Sequence, residues 1–461
     1  MKDCKEKNEP SKKFGAIKQT NELFDIEKNF DVGSARISRL STWPLVRHTF
    51  YYQILKKNIG FSSKFRTTSK VQLIKNGLYG VRNLLRIKKF DYLFFNNADK
   101  RNLVVDKKKY DVFFDAWADK LGQDRSLFIE WAIEKHWKSS EVYSKHVISD
   151  LFVKFGSFLF TLFTRKQISA FEALEKVKQE YQLEIDIKKE VNSMYGKIRF
   201  YRFLLRLIRP KAIFLISSFT KMDLVVAAHL ENVKVYEAQH GYIGDNHQFY
   251  LSYLNFGSLY YPDFLIAFGN QEKNVPVDHF IFKQQQIIPV GSLYLEHVKS
   301  NIKNKYLAEL KESYTKIFCV TLQTVEETHL LDFIMKEALK NKEWLFILKP
   351  RNFNHLDYSK YTQVKNVVLF PEYSVYEILK YSDYNITIYS TTAVEAEMFG
   401  VKTLFYNIGG LSEKYFNVRK MCASIVDAEI GIEKEALMGG HSFVPYFKLG
   451  YHENVKNTEL S

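Results

Sequence analysis

The sequence predicts an α/β protein of two domains, each a Rossmann-like parallel sheet flanked by helices, the two facing across a cleft. Three observations predict it. Short apolar runs recur from about residue 85 onward, each closed by polar residues, Gly or Pro, as buried strands are. Helical spacing fills the intervals between most of them, and strand–helix–strand units of this length build parallel sheets. The alternation breaks once, in a polar stretch rich in Lys and Gln at 270–315, and then resumes. A chain of 461 residues is also long for one hydrophobic core and comfortable for two.

Taken in order, residues 1–40 are polar and Lys-rich and read as a flexible basic arm. Strands are expected at 91–96 and 126–130, and helical spacing with few breakers at 165–209, ending at Pro210. Beyond it come a strand at 212–217, a helix at 221–231, a strand at 234–238 closing on Gln239-His240-Gly241, and a strand at 264–267. The second series has strands at 316–321, 344–348, 367–370, 384–389 and 402–406, with helices at 327–341, 374–381 and 391–399. The expected division is an acceptor-side domain with helical insertions at 41–295, a nucleotide-binding domain at 296–440 and a C-terminal tail at 441–461.

The composition is globular, with 46% hydrophobic and 26% charged residues. Lys and Arg number 67 against 52 Asp and Glu, a formal charge of +15. That excess suits an anionic partner: a nucleotide, a lipid phosphate or a membrane surface. The positive charge is spread along the chain with no recognition motif, which argues against nucleic acid. Cys4, Cys319 and Cys422 form neither a CxxC pair nor a metal-ligand spacing, so no disulfide framework or zinc site is expected, and a reducing, cytoplasmic setting fits. The basic N-terminus is followed by no apolar segment of signal-peptide kind. The longest apolar stretch, residues 151–164, is shorter than the roughly 20 residues of a spanning helix and carries Lys154. It reads as a buried helix. The alternative is an interfacial membrane helix, because Phe158, Leu159, Leu162 and Phe163 share a face and Arg165 and Lys166 follow.

In parallel α/β sheets, ligands sit beyond the C-terminal ends of the strands, and the candidate site residues come from those loops. Residues 389–400 run strand end, hydroxyl cluster, helix start. Thr392 with Glu395 matches a capping box, Gly400 suits the helix end, and a helix start attracts phosphate, to which Ser390, Thr391 and Thr392 add hydroxyls. Lys349 and Arg351 close the strand at 344–348 and are a candidate cation pair for one or two phosphates, Arg with a bidentate fork. Glu372, at the next strand end, is a candidate partner for ribose hydroxyls. His240 follows an apolar strand and titrates near neutral pH, as a base for an acceptor hydroxyl must. Gln239 and Gly241 flank it, and Asp245 and His247 are alternates for the same role.

The segments at 237–243, 261–269, 289–291, 348–350 and 389–400 occur in an order that resembles bacterial capsule and surface-polysaccharide glycosyltransferases of GT-B fold, including sialyltransferase-like and Kdo-transferase-like enzymes. It is also similar to teichoic-acid polyol-phosphate transferases, which carry a His-Gly loop. The resemblance covers about residues 210–410. It implies a metal-independent, inverting transferase without a resident cofactor, using a nucleotide-activated donor, CMP- or CDP-linked, and a glycan or glycolipid acceptor, with peripheral contact to an anionic membrane. By the resemblance, His240 matches the base, Ser390, Thr391 and Thr392 the donor-phosphate loop, and Glu395 the acid after it. The chain departs from the pattern at Lys349, where the group has a His before the Pro. A polyol-phosphate transferase, a nucleotide-sugar epimerase and a non-catalytic assembly protein are the competing expectations.

Overall fold

The computed structural model describes residues 21–59, 70–132, 135–244, 247–275, 278–324, 326–351, 353, 356–416, 423–429, 431–433, 437 and 446–460. The chain divides into two compact units. The larger takes residues 21–305, 394–400 and 444–461; the smaller takes 306–393 and 401–443.

The larger unit is built on seven strands: β1 Tyr92–Asn97, β2 Ser126–Trp131, β3 Val147–Ser149, β4 Ala212–Ile216, β5 Lys234–Ala238, β6 Phe264–Ala267 and β7 Ile287–Pro289. All pair in parallel, in the order β7-β6-β5-β4-β1-β2-β3. Its helices include α1 Glu22–Asn29, α2 Trp43–Ile59, α3 Lys70–Gly77, α4 Asp150–Leu162, α5 Ile187–Ile208 and α6 Met222–Leu230. The strands are mostly apolar because both sheet faces are covered, as parallel sheets require, with polar exceptions such as Asn96, Glu130 and Glu237 toward their ends. One face meets the core of α2, α5 and α6; the other meets Trp117, Tyr451 and Val455. The register aligns one aromatic per strand. Phe128, Phe94, Phe214, Tyr236 and Phe264 stack in a row across β2, β1, β4, β5 and β6, with successive centroids 4.8, 4.7, 4.9 and 4.9 Å apart.

The smaller unit repeats the plan with six parallel strands: β8 Lys316–Thr321, β9 Trp344–Lys349, β10 Val367–Leu369, β11 Tyr384–Thr387, β12 Lys402–Tyr406 and β13 Ala423–Val426. Their order is β10-β9-β8-β11-β12-β13, and α7, Glu327–Lys340, follows β8. Each sheet therefore has the doubly wound order, with the direction of strand addition reversing between β1 and β4 in one and between β8 and β11 in the other. The two-fold Rossmann-like expectation holds.

Three expectations change. Residues 21–40, assigned to a loose arm, are folded: Leu23 and Ile26 of α1 are fully buried, and Glu27 bonds Trp43 Nε1 at 2.9 Å and Arg47 Nε at 2.7 Å. The arm's first twenty residues lie outside the described ones. The 441–461 tail carries α8, Tyr451–Asn457, whose Tyr451 and Val455 enter the larger unit's core. Helix α4 is not buried. Val153 and Ser157 face the protein while Phe155 and Phe158 are 65% and 56% exposed. Small residues on its inner edge, Gly156 and Ser157, bring it close against the neighbouring helix, so much of a very hydrophobic segment is left in solvent.

Candidate functional site

In the larger unit, the strand order reverses beside Ser217, and that is where the chemistry gathers. Ser217 ends β4 in the left-handed region (φ 55, ψ 63), a conformation that costs a non-glycine residue energy and that the surroundings must hold. Its Oγ lies 3.1 Å from His240 Nε2, across from β4 to the end of β5. The turn is pinned from below by Glu237 of β5, whose Oε1 accepts from Ser218 N at 3.1 Å and from Tyr250 Oη at 2.8 Å. Glu237 is fully buried, its second oxygen Oε2 has no hydrogen-bond partner among the described residues, and burial raises its pKa.

His240 is open to solvent at the loop surface, while protein surrounds most of its ring. Desolvation by the surrounding protein, then the charges of Lys100 beyond β1 and Lys221 beyond β4, lower its pKa from the ordinary 6.5. The ring is therefore neutral at pH 7 and able to accept a proton. Three strand ends thus contribute to one place: Lys100, Ser217 with Lys221, and His240.

The flanking candidates divide. Gln239 is buried and fully occupied. Its Oε1 accepts from Phe268 N at 2.7 Å, and its Nε2 lies 2.7 Å from Glu272 Oε1 and 2.9 Å from both Gly241 O and Tyr446 Oη. It locks the loop that presents His240 and leaves no group for an acceptor. Gly241 contributes its carbonyl to that lock. His247 Nδ1 accepts from Phe249 N at 3.3 Å, so its proton sits on Nε2 and the ring serves as a donor. Desolvation, then His240 and Arg47, push its pKa down. Asp245 lies outside the described residues.

Sequence reasoning missed a buried ionic cluster at the ends of β1 and β2. Arg101 Nε is 2.6 Å from Glu130 Oε2 and its Nη1 3.2 Å from Asp115 Oδ2; Asn96 Nδ2 bridges Asp111 and Glu130 at 3.0 and 3.1 Å. His136 completes it, 3.0 Å from Glu130 Oε1 and stacked on Tyr79. No spacing in the sequence announces these residues as partners, because they come from four separate segments. All are enclosed, so they brace the loops that follow β1 and β2.

In the smaller unit, the reversal between β8 and β11 is bridged by two bonds. Thr321 Oγ1 lies 2.9 Å from Thr392 Oγ1, and Gln323 Oε1 accepts from Tyr389 N at 3.0 Å. The loop after β8 has two non-glycine residues at positive φ, Thr324 (56) and Glu326 (52), and Glu326 opens α7. Thr392 is buried and its hydroxyl is spent on Thr321, so it neither caps its helix nor faces a ligand. The cap is Ser390, whose Oγ accepts from Thr392 N at 3.3 Å. Thr391 is half-buried. The helix itself is one α turn, Thr392–Glu395, continued by a 3-10 turn to Phe399 and ended by Gly400 at φ 75. The expected capping box of Thr392 with Glu395 is replaced because the sheet claims the threonine first. Glu395, half-buried, groups with the larger unit.

Lys349 and Arg351 also part company. The Lys349 ammonium reaches the carbonyls of Phe370 and Pro371, each at 3.4 Å, and that of Tyr373, and it lies over the Phe353 ring. It clamps the loop after β10, which carries the exposed Glu372. Arg351 is exposed, and its charge lowers the Tyr389 pKa against the larger raising effect of burial. Tyr389 stacks on Tyr415 at 4.9 Å. The strand ends thus bring together Arg351, Tyr389, Ser390 and Gln323. Among the described residues, no three His, Cys, Asp or Glu are placed to hold a metal ion.

No protein-family model matches the chain, and no curated protein matches it. Solved structures do show a likeness. The UDP-GlcNAc 2-epimerase from Methanocaldococcus jannaschii is 11% identical with a TM-score of 0.44, covering 79% of this chain and 97% of that one. The UDP-GlcNAc 2-epimerase from Neisseria meningitidis, bound to UDP-GlcNAc, is 13% identical with a TM-score of 0.42, covering 74% and 87%. CalG4, the calicheamicin glycosyltransferase, is 12% identical with a TM-score of 0.42, covering 80% and 92%. Likeness at this level leaves the functional reading to the residues.

Proposed function

We propose that the chain is a glycosyltransferase of GT-B type, inverting and metal-independent, that takes a nucleotide-activated donor to a surface-carbohydrate acceptor. The observation that supports this reading most is His240, a neutral imidazole exposed at the strand-order reversal and oriented by Ser217. In the proposed reaction the acceptor hydroxyl gives its proton to His240 while its oxygen attacks the anomeric carbon. The bond from that carbon to the donor phosphate breaks, and the electron pair leaves with the phosphate oxygen. Arg351 and the backbone and hydroxyl donors of Ser390 and Thr391 are assigned to the leaving phosphate, where fixed positive charge lowers the barrier. Glu372 is assigned to the ribose. Lys349 has no direct part in this scheme, since its ammonium is already surrounded by carbonyls.

The test is a thermal-shift screen against CMP, CDP, UDP and GDP, with Arg351→Ala beside the wild type. A nucleotide at about a hundred times its Kd adds about 2.7 kcal/mol of stability. The proposal expects one nucleotide to raise the melting temperature, and the shift to shrink in Arg351→Ala while the unliganded melting temperature stays. A chain that responds to none of the four loses the donor assignment.

A nucleotide-sugar epimerase is the second reading, and one observation favours it: His247 lies near enough to His240 for the His240 charge to lower its pKa. Two imidazoles serve proton removal and return at one sugar carbon. Incubation with a nucleotide sugar and no acceptor separates the two readings, because only an epimerase then makes an isomeric nucleotide sugar.

A further inference from the structure

Helix α4 turns its large side chains away from the protein. Toward α5 it offers small residues: a Cβ on Gly156 would meet the Phe200 ring at 2.2 Å, and one on Gly196 of α5 would meet Thr161 Cα at 2.7 Å. The two helices lie so close that Phe160 packs inward on Phe200 while Phe155 and Phe158 of α4 are left facing out. Phe155, Phe158 and Phe163 are 65%, 56% and 82% exposed, and Phe203 of α5, 5.9 Å from the Phe160 ring, continues the surface at 55%. Leu78, just past the end of α3, which packs against α4, and Leu85, in the 3-10 segment Val81–Lys89 against α5, add two more exposed side chains. Leaving such side chains in water forfeits the stabilisation that burial would give them. A contiguous apolar surface of this kind marks a docking site.

The charge around it names the occupant. Residues 70–89 hold six Lys or Arg and no Asp or Glu, and Arg82, Arg86, Lys88 and Lys89 are exposed. Arg165 and Lys166 follow α4, and both are exposed. Among the described residues no helix is long and apolar enough to cross a membrane. We infer that this face docks on an anionic lipid bilayer, the phenylalanines entering the headgroup boundary and the cations meeting lipid phosphates. A protein partner of matching area would need an acidic rim around an apolar centre; a bilayer surface presents that arrangement everywhere.

Co-sedimentation of the full chain with vesicles tests it. Vesicles of phosphatidylcholine with roughly 30 mol% phosphatidylglycerol should bind at least about tenfold more protein than phosphatidylcholine alone, and raised salt should weaken that binding. The double variant Phe155→Ser, Phe158→Ser should lose about tenfold in binding while keeping its melting temperature, because both side chains are already in solvent. Arg82→Gln with Arg86→Gln should lose the preference for anionic vesicles. Binding to neither vesicle overturns the inference, as does undiminished binding by both variants. A wild-type dimer that Phe155→Ser, Phe158→Ser converts to monomer, with no vesicle binding, overturns it in favour of a second copy. The nucleotide shift proposed above does not involve this face, so its failure and failure here are separately visible.

Discussion

At the scale of single residues, the site rests on how each polar atom is already committed. His240→Ala should lower turnover by roughly two to four powers of ten with nucleotide affinity nearly unchanged, as for loss of a general base. Full activity in that variant would remove His240 from the chemistry. Because burial pushes its pKa down to about 4 from 6.5, the acid limb of kcat/KM should fall near that lowered value, and Ser217→Ala should move that limb; an inflection at 6.5 in both would refute the argument. Glu272 gives a second pH signature. Burial pushes its carboxyl up to about 7 from 4.5, so the native state binds the proton more tightly than the unfolded state. Its contribution is full below pH 4.5 and is lost as pH rises through about 7. Glu272→Gln should flatten the fall in melting temperature across that interval, and an equally steep fall would refute it. At this scale the sequence was partly legible. The residue types at the strand ends were visible. Which hydroxyls were spoken for was not, since Thr392 bonds Thr321 and Lys349 bonds carbonyls more than twenty residues away in the chain.

At the scale of elements, the long apolar strands were readable because a sheet covered on both faces needs uninterrupted hydrophobic runs. Three-residue strands such as β3, β7 and β10 carry less pattern, and β3 and β7 went unseen while Val367–Leu369 was marked by the Pro that follows it. The aromatic row is invisible in one dimension, for it exists only once the register aligns Phe94 with Phe128 and Phe214. Phe214 stands inside it, with stacked neighbours on both sides. Phe214→Ala should destabilise the larger unit by about 3–5 kcal/mol, read by chemical denaturation. A loss below 1 kcal/mol would mean that the row is decoration. Helix α4 shows the opposite limit: its composition is apolar, but close helix packing through Gly156 and Gly196 decides which face is buried.

At the scale of the molecule, the two α/β series were legible, and the return of the chain was legible only as a C-terminal segment crossing back, without the residues that dock it. Residues 446–460 rejoin the larger unit. Lys448 N donates to Phe268 O at 2.7 Å, Asn454 Nδ2 to Val290 O at 3.0 Å and Tyr451 Oη to Phe113 O at 3.0 Å. The signal was present in another form. Gly269 and Gly291 are glycines because the returning segment passes over them: an added Cβ would lie 2.0 Å from Tyr446 O and 2.1 Å from Lys448 O. Gly269→Ala should therefore cost about 1–3 kcal/mol, and a variant as stable as the wild type would show that the segment docks loosely.

That return sets an order of events during synthesis. The Gln239 lock that presents His240 needs Tyr446, and Tyr446 leaves the ribosome some 140 residues after the first unit's 21–305 stretch is finished. At roughly 5–20 residues per second this is a wait of roughly 7–30 s. Through that interval the β6 and β7 ends lack their cover, and the smaller unit's whole sheet emerges meanwhile. The nascent chain thus completes its second half before its first, and a ribosome stalled short of residue 446 holds a protein whose Gln239–Tyr446 bond beside His240 is not yet made.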